Sequence, residues 1–287
     1  MKILLAVMNI LGFILQADAQ VPTEKTLLWE VKGNGIAKPS YLFGTIHLMC
    51  PGDIVVAANL AEKFNSTQQL YLELDLDDPT VMLKTMQHIQ MKNDTTLKDL
   101  LSAPDYDSLV VHFKKLTGMS LEMLTSMKPE LIETLMYPAL LGCDGAEAWE
   151  QKFLQMAKAN QMQVKGLETV DDQLKIFDAI PYKTQAEELA QTFNNIDSIK
   201  QNFNAMLDLY RQKDLDALHA MMYEDEEFSK YDDLLLKNRN EKWIPVIIEE
   251  AKLKPTFFAV GAAHLGGDNG VIALLQKKGY TVQPVQY

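Results

Sequence analysis

Ser40-Tyr41-Leu42-Phe43-Gly44-Thr45-Ile46-His47 is a short apolar run that ends on a histidine and passes through Leu48 into the turn residues Pro51-Gly52-Asp53. The pattern returns late in the chain, where the apolar run Thr256 to Ala263 closes as Gly261-Ala262-Ala263-His264 and is followed by Leu265 and Gly266-Gly267-Asp268. Each copy is a G-x-x-H sequence at the expected carboxyl end of a β-strand. Strand ends in α/β proteins hold side chains on a rigid support while the adjoining loop admits substrate, and glycine lets backbone approach a ligand closely. Two such ends can face one pocket.

Working outward, short β-rich runs alternate with amphipathic stretches, the pattern of an α/β protein. Thr26 to Lys32 and Ser40 to His47 read as a hairpin whose long loop holds Gly33-Asn34-Gly35 and Pro39. Val56 to Asn65 reads as a helix. Gln69 to Asp75 alternates Leu70, Leu72 and Leu74 with Tyr71, Glu73 and Asp75, which places both acids on one face of a strand. Helical periodicity dominates from Pro79 to Trp149. A short strand at Gln163 to Leu167 then leads past Glu168 to Thr169, a suitable helix cap. Thr184 to Gln212 carries apolar residues at three- and four-residue steps and predicts one long amphipathic helix. A helix from Asp232 to Lys252 tolerates or bends at Pro245. After the late strand, a helix opens at Asp268 or Asn269, Gly279 ends it, and Tyr280 to Val285 forms an edge strand carrying Pro284. The expectation is a mixed β-sheet flanked by helices, in one domain over residues 20–287 with a mainly helical insertion at about 79–253.

Composition narrows the partners. The chain has 287 residues with 39 acidic and 27 basic side chains, a formal charge of −12, which argues against a broad electropositive surface for nucleic acid. A cationic, metal or neutral ligand is easier to accommodate. Met1-Lys2, the apolar run Ile3 to Leu15 and Ala17-Asp18-Ala19 read as a signal peptide over 1–19, so an exported protein, periplasmic or extracellular, is expected. No later run has the length of a membrane span. The two cysteines exclude an all-cysteine zinc site. In an oxidising compartment Cys50 and Cys143 can pair, closing a loop worth on the order of 3 to 4 kcal/mol; the rival reading makes Cys50, three residues after His47, a metal ligand.

Neutral imidazoles bind divalent metals or exchange protons near neutral pH, and Glu73 can complete a set of two histidines and one carboxylate with His47 and His264. Such a metal polarises a carbonyl and acidifies bound water. His88, His112 and His219 lie in helical segments and read as partly buried helix residues. Asp75, Asp77 and Asp78 lack the spacing of a calcium loop and read as a solvated turn.

The ordered segments Gly44-Thr45-Ile46-His47-Leu48, Tyr71-Leu72-Glu73-Leu74-Asp75, Gly166-Leu167-Glu168-Thr169, Arg239-Asn240 and Ala259 to Leu265 resemble the motifs of the TraB/GumN family, related to the animal TIKI proteins. The resemblance spans most of the chain. It implies a fold related to erythromycin-esterase-like and ChaN-like proteins, and, through the TIKI proteins, metal-dependent cleavage of peptide bonds outside the cell. A divalent transition metal (Mn, Co or Zn) and a peptide or small carbonyl-containing substrate are then expected. The esterase-like relatives imply an alternative in which histidine and glutamate activate water without metal, and a non-catalytic peptide- or partner-binding protein is the remaining class. Carried onto this chain, His47, Glu73 and His264 are ligands or bases, while Glu168, Arg239 and Asn240 join Gly44 and Gly261 as pocket residues. The Arg239 guanidinium can orient a carboxylate or stabilise an oxyanion, or simply tie the late helix to the sheet.

Overall fold

Tyr41-Leu42-Phe43, Leu70-Tyr71-Leu72 and Phe257-Phe258-Ala259-Val260 are continuous apolar runs, and all of these residues are buried. A strand that is apolar on both faces requires cover above and below, the situation of a central parallel sheet under helices. A computed structural model, which describes residues 24–224 and 226–287, shows that arrangement. The strands are β1 (Leu28–Gly33), β2 (Ile36–Thr45), β3 (Gln69–Leu72), β4 (Gln163–Gly166), β5 (Thr256–Gly261) and β6 (Thr281–Val285). They form one six-stranded sheet in the order β4-β3-β5-β2-β1-β6. β4, β3, β5 and β2 run parallel, β1 lies antiparallel to β2, and β6 in turn lies antiparallel to β1. The α/β class with a mixed sheet is as the sequence predicts. The expected signal segment 1–19 lies outside the described residues, among which no helix is long and apolar enough to cross a membrane.

Some local expectations change. The hairpin loop is short: Gly33 pairs with Ile36, so Asn34 (φ 45°) and Gly35 (φ 88°) alone make the turn, and both take the left-handed conformation that a tight hairpin demands. β2 therefore begins before Pro39. The register slips between Val31 and Gly33, and this irregularity accommodates a residue that has no N–H to pair. The single helix expected over 184–212 is two, Tyr182–Asn194 and Ile196–Arg211, broken at Asn195 (φ −115°, ψ 27°). The first buries Leu189 and Phe193 in a core made only of helices, with Phe113 and Ile132. The second buries Leu207 and Tyr210 in the core on the sheet. Two destinations for one apolar stripe require a change of direction between them.

The late helix Asn238–Leu253 runs through Pro245 and is preceded by a π-helical turn, Asp233–Lys237. Thr169 caps Val170–Ala179 as expected, in a capping box with Asp172. Cys50 and Cys143 form a disulfide, which removes Cys50 from the candidate metal ligands. In the helical layer the fully buried Lys128 meets Asp178 at 2.7 Å, and Lys92 and Tyr182 bind the same carboxylate.

Reducing the disulfide, or the pair Cys50→Ser/Cys143→Ser, should lower unfolding stability by about 2 to 4 kcal/mol, read as a fall in the urea midpoint. A second expectation concerns acid. Burial opposes ionisation of Asp178, but hydrogen bonds from Lys128, Lys92 and Tyr182 outweigh it and hold the pKa at about 2, below the ordinary 3.8. This stabilisation is present above pH 3.8 and is lost as pH falls through 2. Asp178→Asn, which leaves Lys128 buried without its counter-charge, should cost about 3 kcal/mol at neutral pH and flatten the acid limb of the stability curve. An unchanged acid limb would remove Asp178 from that role.

Candidate functional site

Each of the four parallel strands delivers one chemically active side chain just beyond its carboxyl end. Glu168 follows β4, Glu73 follows β3, His47 follows β2, and His264 closes the 3₁₀ turn Ala262–His264 that leaves β5. The chain leaves β3 toward β4 on one side of the sheet and leaves β5 toward β6 on the other. Neighbouring connections that diverge in this way open a crevice at the strand ends. Register brings the two G-x-x-H copies together: Gly44 aligns with Val260 and Thr45 with Gly261. A β-carbon on Gly44 would lie 3.1 Å from Ala262 Cα and from Leu265 Cδ1, so glycine permits this packing. β3 stops at Leu72, before the expected acidic face. Glu73 alone turns into the crevice, and Asp75 lies in a turn where its carboxylate accepts the Asp77 N–H at 3.2 Å.

Arg239 is the centre of the site. Its Nη2 donates to Glu73 Oε2 and to Glu168 Oε1, both at 2.6 Å, and its Nε donates to Glu168 Oε2 at 3.2 Å. Nη1 donates to the Leu235 carbonyl, in the π-helical turn, and to His264 Nε2, each at 3.0 Å. The guanidinium lies 4.9 Å from the Trp243 ring centroid, and the indole N–H of Trp243 donates to Glu168. Orienting buried carboxylates and tying the late helix to the sheet are thus one and the same contact.

Asn240 holds His264. Its Nδ2 donates to the Asn269 carbonyl at 2.9 Å, leaving Oδ1 to accept from His264 Nδ1 at 2.6 Å. The His264 proton is therefore on Nδ1, and Nε2 keeps its lone pair toward Arg239. Burial disfavours the imidazolium and Arg239 adds to that, so the pKa falls to about 3 and His264 is neutral. Burial also disfavours a charged Glu73, but the Arg239 guanidinium, the charged His47 ring and the Gly261 N–H, which donates to Glu73 Oε1 at 2.8 Å, hold its carboxyl below the ordinary carboxylate range.

His47 sits at the mouth, its side chain 68% exposed. Nδ1 meets Glu150 Oε1 at 2.9 Å, and Thr45 Oγ1 donates to the same oxygen at 2.5 Å. Partial desolvation works against the imidazolium, yet Glu150 and then Glu73 raise the pKa to about 9. The three expected residues converge on Gly261. From the place a β-carbon would occupy there, Glu73 Oε1 is 3.2 Å away, His264 Cδ2 3.6 Å and His47 Nε2 3.8 Å.

Two imidazoles pinned through Nδ1 beside a carboxylate are a donor set suited to a divalent transition metal, and the bare face of Gly261 leaves room beside them. The residues fit such an ion in kind. As placed they are not closed around one point: among the described residues no three or more His, Cys, Asp or Glu side chains form a group that could hold an ion. Arg239 takes the His264 lone pair and supplies the positive charge. The other histidines belong elsewhere. His88 meets Asp171 and His112 meets Ser108, both exposed rather than partly buried, and His219 packs on Gly266-Gly267.

Glu150, Thr45 and Gln173, which donates to Glu73 Oε2 at 3.2 Å, were not expected from the sequence. Thr45 lies inside the first G-x-x-H copy. Glu150 and Gln173 carry no local signal, because an acid in a first helical turn and a glutamine in a helix are ordinary.

The family model for TraB/PrgY/gumN matches residues 27–284. Similar proteins include a metalloprotease TIKI1 of Danio rerio, 23% identical over 90% of this chain and 63% of its own length. A metalloprotease TIKI2 of Xenopus tropicalis is 24% identical over 90% of this chain and 59% of its own. A metalloprotease TIKI homolog of Nematostella vectensis is 22% identical over 95% and 70%. The chain thus spans less than two thirds of the first two relatives. No solved structure matches it significantly.

The two site histidines should titrate far apart. Imidazole NMR, assigned with His47→Asn, should show His47 losing its proton near pH 9 and His264 staying neutral down to about pH 3. The His47 charge therefore contributes stability in full below pH 6.5, and that contribution is lost as pH rises through 9. A His47 resonance that titrates at the ordinary 6.5 would show that Glu150 does not hold the charged ring.

Proposed function

The chain belongs to the TraB/PrgY/gumN family, and on that premise we propose that it is an exported hydrolase that cleaves peptide bonds at the His47–Glu73–His264 crevice with the help of a divalent transition metal. One observation carries the reading: two imidazoles, each fixed through Nδ1, and one carboxylate surround the bare face of Gly261. The metalloprotease names of similar proteins support the reaction class, and the Cys50–Cys143 disulfide suits an oxidising compartment.

His47, His264 and Glu73 would hold the ion, which when bound supplies Lewis-acid polarisation of a carbonyl and a lowered pKa for water. The remaining groups prepare the crevice. Asn240 commits His264 to the tautomer whose Nε2 is a lone-pair donor. Arg239 balances the Glu73 and Glu168 carboxylates in a desolvated place, its five N–H groups all engaged by those two side chains, the Leu235 carbonyl and His264. Gln173 steadies the second oxygen of Glu73.

A metal-free reading rests on a separate observation. Arg239 already balances Glu73 and occupies His264 Nε2, and His47 carries a proton at neutral pH. In that reading Glu73 takes a proton from the water whose oxygen bonds to the substrate carbonyl, and His47 gives its proton to the departing group as the scissile bond breaks, the esterase-like chemistry that the family resemblance implies.

Elemental analysis of the purified protein beside its His47→Ala/His264→Ala variant separates these readings. One transition metal per chain, lost in the variant, together with chelator-sensitive cleavage of a peptide mixture, is the expected result. Each single His→Ala change should cut that cleavage by about 100-fold or more. Chelator-resistant cleavage without bound metal would select the metal-free route, and no cleavage under either condition would leave a binding protein.

A further inference from the structure

His47 is the one exposed member of the site, and it sits in a loop beyond the end of β2, where an unassisted ring samples several rotamers and both tautomers. The hydrogen bond that fixes it comes from Glu150, more than one hundred positions away in sequence. That carboxylate is only 13% exposed. Its Oε1 accepts from both His47 and Thr45, while Oε2 is enclosed without a hydrogen-bond partner. Withdrawing a carboxylate from water is costly, so its place needs a reason beyond surface solubility.

The chain around Glu150 is built to keep it there. Glu150 lies in the first turn of the helix Trp149–Ala159, where unpaired N–H groups favour an anion. Trp149 is buried against Phe43 of β2, with ring centroids 4.9 Å apart, so the helix start is keyed to the strand that carries His47. Met49 N–H donates to the Glu147 carbonyl at 2.8 Å, and Glu147 N–H returns a bond to Met49 at 2.9 Å. The Cys50–Cys143 disulfide ties the same two segments again, one residue after Met49 and four before Glu147. Two residues after His47 and three before Glu150, the loops are thus joined by a β-bridge backed by a covalent link.

We propose that Glu150 is a positioning residue that commits His47 to the Nδ1–H tautomer and turns Nε2 into the crevice, and that the Met49–Glu147 bridge and the Cys50–Cys143 disulfide form the brace that keeps it in register. The proposal rests on the reading of His47 as a site residue and assigns Glu150, Thr45 and the disulfide to its service. A purely structural Glu150 would serve helix capping alone, and its loss would change stability without changing the imidazole.

The test is long-range ¹⁵N–¹H NMR of His47 at pH 10, where the ring is neutral, in the wild type, Glu150→Ala, Glu150→Gln and Thr45→Val, with labelled casein hydrolysis measured on the same samples. The wild type should show the Nδ1–H tautomer. Glu150→Gln keeps an acceptor of the same shape and should retain that tautomer in the majority, whereas Glu150→Ala should shift to the Nε2–H form and lose about 100-fold in casein hydrolysis. Thr45→Val, which leaves the His47 bond in place, should lose about tenfold or less. Cys50→Ser/Cys143→Ser should show a mixture of tautomers. An unchanged His47 tautomer in folded Glu150→Ala overturns the role of Glu150, and an unmixed wild-type tautomer in the cysteine variant overturns the brace. His47→Ala reports on the parent reading separately: if casein hydrolysis survives it, the hydrolytic assignment of His47 fails whatever the tautomers show.

Discussion

Two carboxylates that have left water, Glu73 and Glu168, are answered by one guanidinium, and the rest of the molecule is arranged so that this can happen. Without Arg239 the two acids would lie beside each other in a desolvated crevice with no counter-charge, a costly state for a fold whose total stability is small. The planar five-donor fork of arginine reaches both carboxylates, a backbone carbonyl and an imidazole at once, and no point charge such as lysine could do this. The helix that supplies it also supplies Asn240 and Trp243, so a single element holds the cation, orients His264 and covers Glu168. The π-helical turn ahead of that helix brings the Leu235 carbonyl to the same guanidinium.

The site divides into a dry half and a wet half. Glu73, Glu168, Arg239 and His264 are enclosed and mutually bonded, while His47 stands at the opening with its own carboxylate. Burial acts on the two histidines in opposite ways: it makes His264 a neutral lone-pair donor, and at His47 it is overcome by Glu150. Two imidazoles of the same motif therefore bring different protonation states to one crevice, the separation that acid–base chemistry uses.

The repeated G-x-x-H sequences revealed the fold because strand periodicity and histidine position are local properties, and both survive folding unchanged. They also pointed to His47, His264 and, through the apolar alternation of Leu70 and Leu72, to Glu73. What could not be read locally was where each side chain would go. β3 ends three residues sooner than its alternation suggests, because Glu73 is drawn to Arg239 and the Gly261 N–H rather than along a sheet face. The stripe through Leu189, Phe193, Leu207 and Tyr210 looks continuous in one dimension, yet it serves two cores and must break at Asn195. Glu150 was invisible for the same reason: its partner is set by tertiary packing of Trp149 on Phe43, not by spacing.

The place of β5 in the sheet has a consequence for how the molecule comes into being. β5 lies between β3 and β2 and is bonded to both, yet Phe257 pairs with Tyr41 across 216 residues and Thr256 with Gln69 across 187. Pairings this remote in sequence are entropically expensive and slow to form. During synthesis, β2, β3 and both cysteines are made long before the strand that must separate β2 from β3. Until it arrives, two apolar strands present unpaired edges that invite pairing with other chains. The disulfide can close in that interval, restraining the loop beyond β2 while its sheet neighbour is still missing. His264, Arg239 and Asn240 all enter with this last part of the chain, so the crevice gains its charge balance only at the end.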